Sequence, residues 1–125
     1  MADQDIAAIV RAGIDALNEQ DYDGFGAMIA DDVVWHMIGV SEPVRGKAAM
    51  TEGLGGGSSD FTITAELHDV TASDDHVVAL VRAHATKGDQ TLDYNTAEIF
   101  HVRDGLITER WAFSDDTAAI VAFFS

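Results

Sequence analysis

The residues of this chain whose types and spacing best suit chemistry are Arg82, His84, Glu98 and Arg110. Strand alternation puts Leu80, Arg82 and His84 on one face of a strand, and Thr96, Glu98 and Phe100 on one face of the next. If residues 103–105 form a three-residue loop with Gly105 left-handed, Glu98 lies opposite Arg110, and Arg110, Ala112 and Ser114 join that face. A two-residue loop shifts the register by one and sets Trp111 beside Glu98 instead. Converging on an apolar pocket, His84 or Glu98 would be the acid-base group, with Arg82 and Arg110 stabilising a developing enolate or alkoxide. The competing reading is a structural Arg82, Glu98 and Arg110 ladder that satisfies its own charges.

Other polar residues carry weaker signals. Trp35 and His36 alternate, so one of them faces inward. His68, His76 and His101 fall at strand ends or on the outer parity, and no metal set can be assembled from them. Asp31-Asp32 and Asp115-Asp116 sit where elements are expected to end, as capping or solvated carboxylates. Gly55-Gly56-Gly57 follows a helix instead of opening one and lacks a neighbouring Lys-Ser or Lys-Thr, so it reads as a loop at the pocket mouth and not as a phosphate cradle. No Gly-x-Ser-x-Gly elbow is present. With no cysteine, thiol catalysis and cysteine-ligated zinc are excluded. No cofactor is implied.

The whole chain bounds these readings. Its 125 residues, 47% apolar, predict a single domain over 1–125 that can bury a core without disulfides or a structural metal. A formal charge of −15 opposes nucleic acid and anionic membranes and favours a neutral, hydrophobic ligand. No run of about 18 apolar residues and no basic, apolar leader is found, so a cytoplasmic protein is expected.

The elements that must position the four residues follow from periodicity. Ile6, Ile9, Val10, Gly13, Ile14 and Leu17 recur at helical spacing and predict a helix from about Asp5 to Gln20. Asp21 caps a short helix carrying Phe25, Met28 and Ile29; a strand follows over Val33 to Ile38, and Lys47 to Leu54 reads as a third helix. Beyond Phe61 the period becomes two. Runs over 61–71, 76–87, 91–102 and 106–114, broken at Ser73-Asp74-Asp75, Gly88-Asp89 and Asp104-Gly105, predict an antiparallel meander. The class is α+β, three N-terminal helices packed on an antiparallel sheet. The other face would carry Ala79, Val81, Ala83, Ala85, Ala97, Ile99, Trp111 and Phe113, too apolar for water, which predicts a homodimer through it.

Three segments, Ala30-Asp31-Asp32-Val33-Val34-Trp35-His36, Pro43-Val44-Arg45-Gly46-Lys47 and Val102-Arg103-Asp104-Gly105-Leu106-Ile107-Thr108-Glu109-Arg110-Trp111, carry a resemblance that extends to Asp115-Asp116 and Phe123-Phe124. The chain resembles the SnoaL-like branch of the nuclear-transport-factor-2-like superfamily and the ketosteroid isomerases. The resemblance implies a cone, with three helices closing over a strongly curved antiparallel sheet around a deep apolar pocket. Matched to ketosteroid isomerase, the general-base aspartate falls on Met37, the oxyanion-hole tyrosine on Gly13 and the oxyanion-hole acid on Glu98, so the steroid-isomerase base and tyrosine are not retained. Matched to limonene epoxide hydrolase, the Arg-Asp pair falls on Arg82 and His84, and the second aspartate on Ala112. The implied function is acid-base isomerisation, cyclisation or lyase chemistry on a hydrophobic carbonyl compound, with Trp35, Met37, Leu80, Phe100, Ala112 and Ser114 holding it. A non-catalytic ligand-binding or dimeric accessory domain is the alternative, and epoxide hydrolysis a third.

Overall fold

The computed structural model describes residues 2–53 and 61–124. Helix α1 (Ala2–Asn18) lays Ile6, Val10 and Ile14 into the core, the stripe expected from their spacing. Helix α2 (Tyr22–Gly26) is capped by Asp21, whose Oδ1 accepts the Gly24 amide at 3.0 Å. It ends before Met28, and strand β1 (Ile29–Trp35) starts four residues earlier than its apolar run suggested. A short β2 (Val44–Arg45) and helix α3 (Lys47–Gly53) follow. The glycine run at 55–57 lies outside the described residues.

The meander is present as β3 (Phe61–Ala72), β4 (His76–Lys87), β5 (Gln90–Arg103) and β6 (Leu106–Ser114). The sheet runs in the order β2-β1-β6-β5-β4-β3 and is mixed, because β1 pairs with β6 in parallel. Helix α4 (Thr117–Phe124) ends the described chain. Its sequence is apolar throughout, so it shows no amphipathic stripe, and the sequence reading missed it. The capping expectation for Asp116 does hold, since its Oδ1 accepts the Ala119 amide at 3.1 Å. Asp31 and Asp32 differ: they sit inside β1, exposed, where its register with β6 shifts, and Asp31 reaches Lys47 at 3.5 Å.

Bulges bend the sheet and fix which residues face the helices. In β3 the register slips at His68, so Ile63, Ala65 and Leu67 share the inner face with Val70 and Ala72 despite the change of parity. The β5–β6 hairpin turns on two residues, Asp104 (φ 55°) and Gly105 (φ 80°), with Arg103 opposite Leu106. That is the doubly left-handed turn suited to the twist of the strands. The expected three-residue loop is absent. A bulge at Thr108 supplies the extra residue instead, so Glu98 pairs with Ala112 and Arg110 with Phe100. The face is the one anticipated for β5 and β6, with the register displaced by two.

The face of β4 is the reverse of the expectation. Lys87 pairs with Gln90 across Gly88-Asp89, which sets Ala79 opposite Glu98 and Val81 opposite Thr96. Val77, Ala79, Val81, Ala83 and Ala85 are therefore the inner residues, buried beneath the helices, whereas Leu80, Arg82 and His84 point outward.

Candidate functional site

Between α1 and the concave sheet lies a cavity of about 540 Å³, within the range of small-molecule sites. Val10, Gly13 and Ile14 of α1 form its roof, Phe25 and Trp35 one wall, and Ile120 and Val121 of α4 another. The polar groups come mostly from one stripe. Tyr94, Thr96, Glu98 and Phe100 alternate along the inner face of β5, and Arg110 projects from β6 beside them.

Glu98 and Arg110 meet diagonally across the strand pair. Arg110 Nε donates to Glu98 Oε1 at 3.2 Å, and Nη2 approaches the same oxygen at 3.1 Å. Thr96 Oγ1 donates to Oε2 at 2.9 Å. Arg110 Nη1 donates to the backbone carbonyl of His36 at 2.9 Å, and its guanidinium lies 4.6 Å from the centre of the Trp35 ring. Trp35 is in turn held edge-on by Phe25, with ring centres 6.0 Å apart. The side chains of Arg110 and Glu98 are only 10% and 16% exposed, so their mutual pairing is what makes burial of either charge tolerable.

Tyr94 was missed from sequence, although its parity with Thr96 and Glu98 was a readable signal. It is buried, and burial first, then the negative charge of Glu98, holds its phenol protonated above the ordinary tyrosine value, against the opposing pull of Arg110. At neutral pH it is a neutral hydroxyl.

The residues proposed from sequence separate into two groups. Glu98, Arg110, Trp35, Met37 and Phe100 line the cavity. Arg82, His84 and Leu80 do not; they lie on the outer face because the two-residue Gly88-Asp89 turn inverts the parity assumed for β4. Arg82 lies 3.6 Å from Glu66 there, and His84 Nδ1 bonds Asp93, all exposed. The Arg82, Glu98 and Arg110 ladder therefore does not form. Ala112, opposite Glu98, and Ser114, opposite Thr96, share the inner face of β6 with Arg110 but do not line the cavity; Ser114 bonds the Thr117 hydroxyl at 2.6 Å at the start of α4. His36 turns to the outer face, bonded to Glu109 at 2.8 Å and stacked on Trp111. Among the described residues no group of three histidine or acidic side chains is arranged to hold a metal.

The described residues thus form a curved sheet roofed by a helix, with a mostly apolar cavity between them and the Glu98–Arg110 pair at its polar end. Residues 10–110 match the model of the SnoaL-like domain, and the chain belongs to that family. No curated protein matches it. Among solved structures, Bal32a from a soil-derived mobile gene cassette is 24% identical over the whole of both chains, with a TM-score of 0.85. A proposed polyketide cyclase from Xanthomonas campestris is 23% identical over 99% of this chain and 97% of its own, at 0.84. An epoxide hydrolase of the LEH-like type from Mycobacterium tuberculosis is 23% identical over 90% and 84%, at 0.82. At these identities the likeness is one of fold. No described helix is long and apolar enough to cross a membrane.

Proposed function

We propose that the cavity binds a hydrophobic carbonyl compound and catalyses its isomerisation or cyclisation by proton transfer. The observation that carries this reading is a largely buried carboxylate, Glu98, fixed by Arg110 and Thr96 at the polar end of a mostly apolar cavity. Glu98 is the proton acceptor, the paired Arg110 fixes its orientation, and the neutral Tyr94 phenol on the same stripe donates a hydrogen bond to the oxygen on which charge develops. His84, on the outer face, has no part in it. The test is solvent deuterium exchange into the α-carbon of an enolisable ketone such as 2-tetralone. Exchange above the buffer rate, reduced in both Glu98→Gln and Tyr94→Phe, is expected; exchange at the buffer rate gives the pocket to ligand binding without chemistry. That second reading draws support from Met37 and Ala112, apolar where the two resembled enzymes have carboxylates.

We further propose that the outer sheet face pairs with a second copy. Leu80, Ala97 and Phe113 form one row across β4, β5 and β6, and Val78, Ile99 and Trp111 form the next. Leu80 is 40% and Phe113 58% exposed, a contiguous apolar surface of the kind that associates. Sedimentation in moderate salt is expected to give twice 13.4 kDa, with Phe113→Glu shifting the protein to a monomer. A monomer before substitution overturns the pairing.

A further inference from the structure

The exposed part of the cavity lining marks its mouth: Tyr22, Val40, Ile63 and Val121 line the cavity and are exposed to solvent. The two sides of that mouth are held differently. On one side Asn18, at the end of α1, makes two hydrogen bonds at 2.7 Å to the backbone of Ala65 in β3. On the other side stand Val121 of α4 and Val40 of the 37–40 loop. Helix α4 belongs to a small apolar cluster apart from the main core, in which Ile120 joins Ala83, Ala85 and Tyr94. Among the described residues of α4 only Ile120 is buried. Lifting α4 therefore forfeits the burial of one isoleucine and leaves the main core whole, and a segment with so little buried apolar surface opens far more readily than the domain unfolds.

The contacts of α4 suit such a movement. At its base Asp115 is fixed, since its backbone amide donates to the Asn95 carbonyl at 3.2 Å and its carboxylate accepts the backbone and side-chain amides of Asn95. At its far end Lys87 Nζ donates to the Phe123 carbonyl at 3.2 Å. Between these two points Val121 closes on Gly39, which has φ 79° and where a Cβ would overlap Val121 Cγ2. Glycine alone meets both conditions, so the loop offers bare backbone as the surface on which α4 rests.

The geometry points to α4 as a lid, which turns about Asp115-Asp116, carries Ile120 as its plug, closes on Gly39 and admits the ligand between itself and the 37–40 loop. This rests on the reading of the cavity as a ligand site and not on the chemistry assigned to Glu98. Closure returns Ile120 to the cluster that holds Tyr94 and shuts water away from that end of the cavity. Entry and release both wait on the lid, so its position governs the two rates together, whereas a fixed wall would act on affinity through release.

The chain has no cysteine, so a single pair can be introduced. A Cβ at position 39 would stand 3.8 Å from the Cβ of Val121, the mean separation across a disulfide. In the protein carrying Gly39→Cys and Val121→Cys, oxidation ties the lid shut and dithiothreitol frees it, with the same backbone strain at position 39 in both forms. The probe is 6-propionyl-2-dimethylaminonaphthalene, a neutral ketone whose emission shifts in apolar surroundings, mixed with the protein in stopped flow. Oxidation is expected to slow its entry and its release alike by about tenfold, with Kd held within about twofold, and reduction to restore both rates. Lys87→Met guards against a cysteine pair that fails to fold or to join. It is expected to speed both rates by about fivefold, the worth of one hydrogen bond, and to raise amide exchange across 117–123 without raising it in β5. Rates that neither change moves, a change confined to release, or α4 amides that exchange only as slowly as those of β5 overturn the lid and leave the pocket standing. A probe that does not bind the unaltered protein at all overturns the pocket reading and the lid with it.

Discussion

Arg110 and Glu98 are bonded without being paired in register: Arg110 stands opposite Phe100, and its guanidinium reaches diagonally to Oε1 of Glu98, with Nε at 3.2 Å and Nη2 at 3.1 Å. The bulge at Thr108 makes this possible. Without that extra residue the two-residue Asp104-Gly105 turn would bring Trp111 to the inner face and send Arg110 outside.

Removal of one partner is expected to expose the burial cost of the other. Arg110→Met leaves Glu98 uncompensated and is expected to lower unfolding free energy by about 3 kcal/mol in denaturant titration. Adding Glu98→Leu is expected to recover a substantial part of that loss. Two losses that simply add would show the pair to be uncoupled.

Tyr94 is expected to titrate above the ordinary value of 10 in ultraviolet difference spectra, and Tyr94→Phe is expected to remove that late step. The sign of the linked stability follows. A raised folded-state value means the contribution is fully present below pH 10 and is lost as pH climbs through the folded-state value. A late step that survives Tyr94→Phe assigns it elsewhere.

Asp115 behaves oppositely. The side chain and backbone amide of Asn95 donate to it at 3.0 and 3.1 Å and hold its carboxyl below the ordinary 3.8. Its contribution is present above that value and lost as pH falls through the folded-state value. The contact ties β5 to the chain entering α4, so Asn95→Ala is expected to raise amide exchange across 117–123 at neutral pH. Unchanged exchange there would separate the contact from the seating of α4.

Asn18 closes the far edge of the site. Its amide donates to the Ala65 carbonyl and accepts the Ala65 amide, both at 2.7 Å, tying the end of α1 to edge strand β3. Asn18→Ala is expected to destabilise by about 1–2 kcal/mol, as two hydrogen bonds are lost, and to free the Ala65 amide to exchange. Retained protection of that amide would contradict this tie.

Gly13 makes room. A Cβ there would meet Phe25 at 3.7 Å and Met28 at 3.8 Å, ordinary contact distances. Gly13→Ala is therefore expected to stabilise α1 by roughly 1 kcal/mol from helix propensity, measured by thermal melting. Gly13→Leu is expected to fill the cavity roof and weaken 2-tetralone binding, and equal affinity would show that the ligand does not reach α1.

What sequence revealed and what it concealed have physical causes. The stripe of α1, the Asp21 cap and the four strands of the meander were readable because periodicity and turn residues agreed. So was the common inner face of Glu98, Phe100 and Arg110. Leu80, Arg82 and His84 are expected from alternation to share the inner face with Thr96 and Glu98. Yet the buried alternation of Val77, Ala79, Val81, Ala83 and Ala85, and a two-residue turn with Gly88 at φ 62°, both dictate the reverse. The Thr108 bulge leaves no mark in composition, and the uniformly apolar α4 offers no period to detect. Tyr94 needed only the parity already applied to Glu98.

The most direct test of the Glu98 site is a crystal structure with a hydrophobic enolisable ketone bound. The ligand is expected beneath α1, with its α-carbon facing Glu98, its oxygen within hydrogen-bond reach of Tyr94 and its apolar body against Trp35. A ligand seated on the outer face beside Arg82 and His84, or inside the cavity with its α-carbon turned away from Glu98, would contradict this assignment.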